Sequence, residues 1–423
     1  MTRFFSVLLT LTLLVSFAVP VLSEDDVVTI RYAMWDASIK DKEIEEIIKP
    51  FEEANPGIKV ELSALPWDEY WKKMQVGIAS GDSYDVFAMS VAYAWEFAHK
   101  GMLMNLQPLY DEIIAEHGED YLYGNMMDVG RYPDSNGDLY AMPYGWVGSL
   151  LFYNKTMFEE AGLDYPTDDW SWDDLWAAAE QLVSGQGPAK KYGFRVWTSH
   201  ELLDAYINAA GGYVLNDEMT QCLINQPEAV AALEELKSKI DAGVCPSIAN
   251  MEGQPDPFLT GKVGMTVAGS YAIESYREIT DFEWDCVMVP FNAQTGKRVI
   301  YGGPDSLVIS ATTEHPEEAM KFLEYYCASG REVESFMGGK ASIVRKINED
   351  EAWLEAGQSP SNKIALLKSA EYLKGADFCY KWSEWRSSII ANELNSAFNG
   401  DITIQEACDA ATERVNAILA EVQ

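Results

Sequence analysis

The N-terminal part of the chain alternates between strand-like and helix-like patterns at the spacing of a parallel sheet. Short apolar or alternating runs indicate strands, whereas apolar residues that recur every three or four positions indicate helices. The resulting prediction is, in chain order, strand 27–34, helix 42–53, strand 58–62, helix 67–79 and strand 85–89. Strands joined by helices in this way lie parallel in one sheet and are connected by right-handed crossovers. The sequence therefore predicts an α/β protein, and its 423 residues are enough for two units with their own cores.

A second constraint is residues 140–162, which read YAMPYGWVGSLLFYNKTMFEEAG. One proline and two glycines give the first half an irregular, extended backbone. Residues 150–153 are apolar and predict a strand, after which Asn154 or Thr156 can cap a helix that ends near Gly162. The segment therefore predicts an extended stretch, a strand and a helix in direct succession.

Residues 140–144, 151–155 and 158–163 together resemble the crossover segment of extracellular solute-binding proteins, the carbohydrate-type receptors of ABC importers that include maltodextrin-binding protein. Further stretches resemble the same family in the same order along the chain: 51–61, 79–89, 97–103, 106–110, 166–175, 258–271, 301–310, 315–326 and 400–407. Tyr84 stands where the family usually has proline. The resemblance implies a two-lobed α/β fold, in which each lobe is a mostly parallel sheet flanked by helices and the ligand lies in the cleft between the lobes.

The resemblance also implies how the chain divides between the lobes. The expected segments are 24–143 and 301–355 for the first lobe, and 144–300 and 356–423 for the second. The connections near Tyr144, near Tyr301 and after Gly339 would then form the hinge.

Residues 1–23 have the features of a secretory signal peptide. Arg3 supplies a positive charge, residues 4–19 are apolar, and cleavage is expected near Ser23. The alternative, a membrane anchor, would need about 20 apolar residues for a comfortable span, and acidic residues follow at once. No cysteine lies near the cleavage point for lipid attachment. We therefore expect an exported protein, either periplasmic or else secreted or at the cell surface.

The formal net charge of the chain is −36 at pH 7. Such a charge repels nucleic acids and anionic lipid surfaces at long range, so we expect neither as a partner. The acidic residues are dispersed, which is typical of an ordinary soluble surface. A cationic ligand is an alternative that the net charge permits.

The six cysteines show no spacing typical of a metal site. An exported location permits disulfides. Cys222 and Cys245 flank one predicted helix and could pair if the chain doubles back. Buried free thiols are the alternative, and spacing does not decide between the two.

The loops that follow the first three predicted strands combine aromatic rings with short polar groups. In open α/β sheets, ligands bind beyond the carboxyl ends of the strands. The candidate ligand-binding residues in these loops are Trp35, Asp36, Ser38, Trp67, Asp68, Ser90, Tyr93 and Trp95. Sugars present apolar C–H faces, which pack on aromatic rings, and hydroxyl groups, which need donors and acceptors. The same residues could instead pack strand ends or begin helices, and the two at 93 and 95 would not share a helix face.

Later parts of the chain add further candidates. Tyr144 and Trp146 lie on the crossover segment, and Trp197 follows another predicted strand. The resemblance adds Tyr271, because the family places a ring-stacking aromatic residue there. The remaining candidates are Gly269, Gly303, Asp305, Trp382, Trp385 and Arg386. The last three are spaced i, i+3, i+4, so they can share one helix face, which could equally be packed in the core.

The sequence contains no motif of the common enzyme classes. The four histidines are scattered without zinc-binding spacing, and no nucleophile elbow, phosphate loop or dinucleotide motif occurs. Residues 134–138 imitate the start of a calcium loop, but Gly145 stands where that loop needs Glu, so a β-turn is expected. We expect no cofactor, no metal and no enzymatic activity.

These patterns predict a monomeric, exported receptor that captures a carbohydrate, a neutral oligosaccharide in the first place, by lobe closure. It would deliver this ligand to an ABC-type permease in the membrane. No cluster of Arg or Lys is predicted that could hold a phosphate or carboxylate group. Two alternatives stay open: a binding protein for a cationic or peptide ligand, and a secreted carbohydrate-active enzyme, whose two facing carboxylates need no local motif.

Overall fold

The structure is a computed structural model that describes residues 27–35, 37, 40–80, 83–251, 253–328, 339–349, 351–355, 357–375 and 379–422. The predicted signal peptide, residues 1–23, lies outside the described residues, as do the candidates Asp36 and Ser38 and the side chain of Asp68. Within the described ranges, no helix is both long and apolar enough to cross a membrane.

One large mixed sheet organises the described part of the chain. Its strands and those of a small hairpin are, in chain order, β1 (Val28–Trp35), β2 (Ile58–Leu65), β3 (Val86–Ser90), β4 (Arg131–Tyr132), β5 (Asp138–Leu139), β6 (Met142–Asn154), β7 (Tyr192–Arg195), β8 (Val263–Gly269), β9 (Trp284–Met288), β10 (Ile300–Ile309), β11 (Ala341–Ser342) and β12 (Leu373–Gly375). The main path runs β2-β1-β3-β10-β6-β8-β7, while β9 and β11 also pair with β6, and β12 pairs with β10. Strands β4 and β5 form the separate hairpin.

Helices flank the sheet. They are α1 (Lys40–Glu43), α2 (Lys49–Ala54), α3 (Trp67–Ser80), α4 (Val91–His99), α5 (Gln107–His117), α6 (Gly124–Met127), α7 (Lys155–Ala161), α8 (Trp172–Leu182), α9 (His200–Ala209), α10 (Pro227–Asp241), α11 (Ile248–Met251), α12 (Ala272–Tyr276), α13 (Pro316–Ala328), α14 (Glu351–Leu354), α15 (Ile364–Ser369), α16 (Trp382–Glu384), α17 (Ala391–Asn399) and α18 (Ile404–Leu419). Wider π-helical turns occupy Ile44–Ile48 and Trp385–Ile390. Short 3₁₀ turns lie at Asp128–Gly130, Gly187–Ala189, Arg345–Glu349, Ala370–Tyr372 and Ala420–Val422.

The predicted strand–helix repeat at the N-terminus is present. Strand β1 pairs in parallel with both β2 and β3. The predicted third strand begins one residue later than expected, because Asp85 has another role. Its carboxylate accepts a hydrogen bond from the Arg31 amide at 2.7 Å and one from the Thr313 hydroxyl at 2.7 Å. Asp85 thus fixes the start of β3.

The crossover segment forms one long strand, β6, that is shared by two parts of the sheet. Its first half pairs with β10 and its second half with β8 and β9, all antiparallel. Of the two proposed caps, Asn154 is the one that serves, since its side chain accepts from the Met157 amide at 2.9 Å. Helix α7 then ends at Gly162, whose φ of 69° lies in the left-handed region that glycine favours.

Two clusters of buried side chains form the core. One includes Phe51, Phe87 and Trp146 around β1, β3 and β10, and it extends through Phe152 and Trp284 to β6 and β9. The other includes Phe194 and Leu233 and packs helices α8, α9, α10 and α18 against the second part. The fold class is confirmed as a two-lobed α/β fold with a large sheet and flanking helices, whereas the residue bounds of the lobes stay a prediction.

The six cysteines are all free in the structure, and none forms a disulfide. Cys222 and Cys245 are both buried, as are three of the others, and Cys379 is half-buried. The arrangement corresponds to the alternative of buried thiols.

Candidate ligand-binding site

A cavity of about 730 Å³ lies beyond the carboxyl ends of β1 and β3 and against the loops that follow β7 and β8. Strands β6 and β10 pass along its floor. The residues that line it are Trp35, Trp67, Ser90, Val147, Trp197, Thr198, Ser199, His200, Glu201, Gly269, Tyr271, Tyr301, Gly302, Gly303, Pro304, Asp305, Lys340, Trp382, Arg386, Ser387 and Ala391. A cavity of this size suits a ligand of several rings.

The structure brings together predicted residues from widely separated parts of the chain. The candidates that line the cavity are Trp35, Trp67, Ser90, Trp197, Gly269, Tyr271, Gly303, Asp305, Trp382 and Arg386. Their location agrees with the rule that ligands bind beyond strand ends. Their contact with a ligand stays a prediction.

Trp146 and Tyr144, which were also expected at the site, are not among the residues that line the cavity. Trp146 is fully buried, with its ring 6.0 Å from that of Tyr123. The Tyr144 ring packs edge-on against Tyr326 at 5.1 Å. Successive side chains of a strand point to opposite faces, so Val147 lines the cavity where its neighbour Trp146 does not. Tyr144 reaches the lining only through its hydroxyl, which hydrogen-bonds Lys340.

Tyr93 and Trp95 also lie outside the cavity lining, on different faces of α4. The Tyr93 ring packs on Trp71 with centroids 3.9 Å apart, and its hydroxyl bonds the Ser383 hydroxyl at 3.3 Å. Trp95 stacks on His99 at 4.9 Å. Neither ring is therefore part of the cavity surface, and Trp95 also contacts Tyr132 of β4.

The predicted helix face of Trp382, Trp385 and Arg386 is divided between cavity and core. Trp385 is fully buried in the second core cluster and does not line the cavity, which corresponds to the core-packing alternative for this helix face. Trp382 and Arg386 line the cavity. A π-helical turn begins at Trp385 and changes the angular spacing of the residues that follow.

Arg386 is held by a buried ion pair. Its guanidinium contacts the Asp204 carboxylate with Nε at 3.0 Å from both oxygens and Nη2 at 2.6 Å from Oδ1. Its Nη1 also donates to the Thr198 carbonyl at 3.1 Å. Arg386 and Asp204 are only 2% and 3% exposed, so most of the donor capacity of Arg386 is already used inside the protein.

Glu201 places a buried carboxylate at the cavity. It accepts a hydrogen bond from the Tyr271 hydroxyl at 3.0 Å, and its Oε2 lies 3.3 Å from His200 Nδ1. Burial raises the pKa of Glu201, but the charge of a protonated His200 and hydrogen bonds from its own amide, Tyr271 and Ser199 outweigh this and lower it. The carboxylate is therefore ionised at neutral pH and can only accept hydrogen bonds from a ligand.

Lys340 forms the other charged contact at the cavity. Its Nζ lies 2.5 Å from Asp305 Oδ2, and it also hydrogen-bonds the Tyr144 hydroxyl. Burial lowers the pKa of Lys340, but Asp305 and Tyr144 outweigh this and raise it above its ordinary value. The ammonium group is therefore charged and already paired.

Aromatic rings on both sides of the cavity are fixed by their own contacts. Trp35 packs edge-to-face on Trp67 at 5.2 Å, and Trp67 keeps 45% of its surface exposed. Across the cavity, the Trp197 indole N–H donates to the Val267 carbonyl at 3.0 Å, and Arg195 lies 4.3 Å over the Trp197 ring. Rings that are held in this way offer flat apolar surfaces without losing much conformational freedom on binding.

A sequence comparison identifies the family. The profile of the family described as bacterial extracellular solute-binding protein matches residues 46–341. The chain belongs to this family. Its members are solute-binding receptors of ABC transporters. Among sequence relatives, the sn-glycerol-3-phosphate-binding periplasmic protein UgpB of Escherichia coli is 24% identical over 400 residues, and the match covers 89% of each chain.

Solved structures of similar proteins agree with this fold. The ABC substrate-binding protein Lmo0181 from Listeria monocytogenes, in complex with cycloalternan, has a TM-score of 0.83 at 26% identity, covering 93% of this chain and 100% of that chain. The cyclic alpha-maltosyl-1,6-maltose binding protein of Arthrobacter globiformis has a TM-score of 0.76 at 19% identity, with coverage of 93% and 100%. The second likeness shows the fold alone.

Several lining residues of this solute-binding protein escaped the sequence analysis. Thr198, His200 and Glu201 follow β7 directly, so the strand-end rule could have found them beside Trp197. Lys340 follows no predicted strand and had no such signal. Among the described residues, no group of three or more His, Cys, Asp or Glu side chains is placed to hold a metal ion.

Proposed function

We propose that this solute-binding protein binds a neutral oligosaccharide in the 730 Å³ cavity and delivers it to an ABC-type permease. The observation that supports this proposal is that aromatic rings line two opposite sides of the cavity, while its Lys and Arg side chains are already paired with carboxylates. Sugar rings would pack their C–H faces on the exposed indole and phenol rings. Their hydroxyl groups would donate to the carboxylates of the cavity.

The charges of the cavity favour a neutral ligand over an anionic one. Two cationic side chains of the lining, Lys340 and Arg386, are paired with Asp305 and Asp204, and His200 lies 3.3 Å from Glu201. Glu201 adds a further ionised carboxylate. A phosphate group would have to compete with these carboxylates for the same cations. For this reason we favour a neutral sugar as the ligand over sn-glycerol 3-phosphate, the ligand in the name of UgpB.

The similarity to Lmo0181 supports an oligosaccharide rather than a single sugar. That protein was solved with cycloalternan, and the likeness extends over 93% of this chain. We further propose that the protein is exported and that ligand contacts made by both lobes stabilise a closed state, which the permease recognises. Small-angle scattering tests closure: the radius of gyration should fall when the ligand binds, and an unchanged radius at saturation would refute it.

Isothermal titration calorimetry of the purified protein tests the ligand class. The probes are cycloalternan, maltotetraose, sn-glycerol 3-phosphate and spermidine. We expect heat of binding with at least one of the two oligosaccharides and none with glycerol phosphate. Binding confined to glycerol phosphate or to spermidine would overturn the proposal, and the second result would support the cationic alternative. Chromatography of the bound sugar after long incubation checks that it is recovered unchanged, as a binding protein requires.

A further inference from the structure

Gly339 and Lys340 lie where the loop after β8 meets the strands under the cavity. The backbone of Gly339 packs directly on that loop, since a Cβ atom at this position would lie 1.9 Å from the Ser270 carbonyl oxygen and 3.0 Å from Tyr271 Cα. No side chain larger than hydrogen fits there without a shift of the loop. Tyr271, which the loop carries, lines the cavity.

The next residue, Lys340, contacts both β6 and β10. Lys340 Nζ lies 2.5 Å from Asp305 Oδ2 on β10, hydrogen-bonds the Tyr144 hydroxyl on β6, and sits 5.4 Å from the centre of the Tyr144 ring. Asp305 pairs with Gly145 across the sheet. Directly after Lys340, strand β11 pairs with β6. The dipeptide therefore contacts three elements around the cavity floor.

These contacts connect a ligand-facing ring with the strands shared by both parts of the sheet. The loop is itself anchored to β6, because the Ser270 amide donates to the Gly148 carbonyl at 2.9 Å. The Lys340 side chain is only 25% exposed, so loss of its charge would leave Asp305 without its cation in a poorly hydrated place. A displacement of Lys340 would therefore disturb the packing of the loop, of β6 and of β10 together.

We propose that Lys340 is a positioning residue, which together with Gly339 clamps the Ser270–Tyr271 loop onto β6 and β10 and so holds the Tyr271 ring in the orientation that receives the ligand. The clamp is a property of the ligand-free protein. Its effect on affinity rests on the proposed function, because it acts through the ring that would stack on a sugar.

Hydrogen exchange of the full ligand-free chain tests the clamp without any ligand. Peptides that contain residues 269–273 should exchange roughly tenfold faster in Lys340→Met and in Gly339→Ala than in the wild type, while peptides from α8 stay unchanged. Lys340→Arg, which keeps the charge, should stay close to the wild type. Lys368→Met is the matched control, because Lys368 forms an exposed ion pair with Asp168 at 2.7 Å elsewhere. Unchanged exchange of the loop in both folded variants would overturn the proposal.

A double-mutant cycle with maltotetraose tests the effect on binding. Lys340→Met should weaken binding about tenfold in the wild-type background and have no further effect in Tyr271→Ala, because the two residues act through one ring. Equal losses in both backgrounds would show that Lys340 does not act through Tyr271, and would overturn the proposal. If neither cycloalternan nor maltotetraose binds the wild type, the proposed sugar ligand is wrong. Hydrogen exchange of the ligand-free protein then remains the test of the clamp.

Discussion

Tyr271 is the aromatic residue whose removal should affect binding most clearly. The residue is 48% exposed and lines the cavity, and its hydroxyl donates a hydrogen bond to Glu201. We expect Tyr271→Ala to weaken oligosaccharide binding by about 1–3 kcal/mol, the range of a buried aromatic contact. Calorimetry with maltotetraose measures the loss. Tyr213→Ala, at a tyrosine that is 41% exposed and does not line the cavity, is the control and should keep full affinity. Equal affinity of the wild type and Tyr271→Ala would remove this ring from the site.

Glu43 should make the stability of the protein depend on pH. Burial raises its pKa to about 7, although hydrogen bonds from Tyr32 and Tyr326 and the charge of Lys340 lower it. A raised pKa means that the folded state holds the proton more tightly than the unfolded state. The resulting stability is fully present below the ordinary pKa of 4.5 and is lost as pH rises through 7.

Glu43→Gln removes this titration. We expect the variant to be more stable than the wild type at pH 8, by about 3 kcal/mol, and the gain to vanish near pH 4. Urea denaturation across this pH range measures it. Glu53→Gln, at an exposed glutamate, should show no such trend. A gain that is constant with pH would contradict the assignment to Glu43.

At the scale of elements, helix α8 approaches strand β7 closely at Gly193. A Cβ atom on this residue of β7 would lie 1.9 Å from the Ala179 carbonyl oxygen of α8. Gly193→Ala should therefore separate the two elements and lower stability by about 1–3 kcal/mol, as overpacking does. A thermal melt measures the change. Gly124→Ala is the control, because nothing lies within 4 Å of a Cβ there. Equal melting temperatures for both variants would show that the helix yields without cost.

The elements that sequence predicted well are those whose signals are local. The N-terminal strands and the cap at Asn154 depend on neighbouring residues, and the structure contains them. Which face of a strand is buried depends on more than its neighbouring residues. Trp146 and Val147 are adjacent in β6, and only the packing of a distant helix and of the cavity decides which one is buried in the core.

The part of the site that the sequence did not predict consists of contacts between residues that are far apart in the chain. Arg386 was a candidate, but no sequence pattern links it to its partner Asp204, which lies 182 positions away. Lys340 was missed because neither periodicity nor a strand end distinguishes it. Aromatic residues at strand ends were predictable because the fold rule specifies where they lie, whereas the charges that tune the cavity come from tertiary pairing.

For the whole molecule, the net charge of −36 allows a test of ligand class through salt. Binding of a neutral oligosaccharide should change less than twofold between about 0.05 and 0.5 M NaCl, because no net charge is neutralised on binding. A cation bound mainly by carboxylates should lose much of its affinity over the same range. Calorimetry of the best oligosaccharide at each salt concentration measures this. A steep loss with salt would favour the cationic alternative over a neutral sugar.

The place of β10 in the sheet has a consequence for the order in which this chain can fold. This strand, Ile300–Ile309, lies between β3 and β6, although both precede it in the chain. Until residue 309 has been synthesised, the facing edges of β3 and β6 have no strand to pair with. Contacts of such large sequence separation form slowly. The pairing of β1 with β2 and β3 can therefore form early, whereas the link between β3 and β6 has to wait until the central strand has been made.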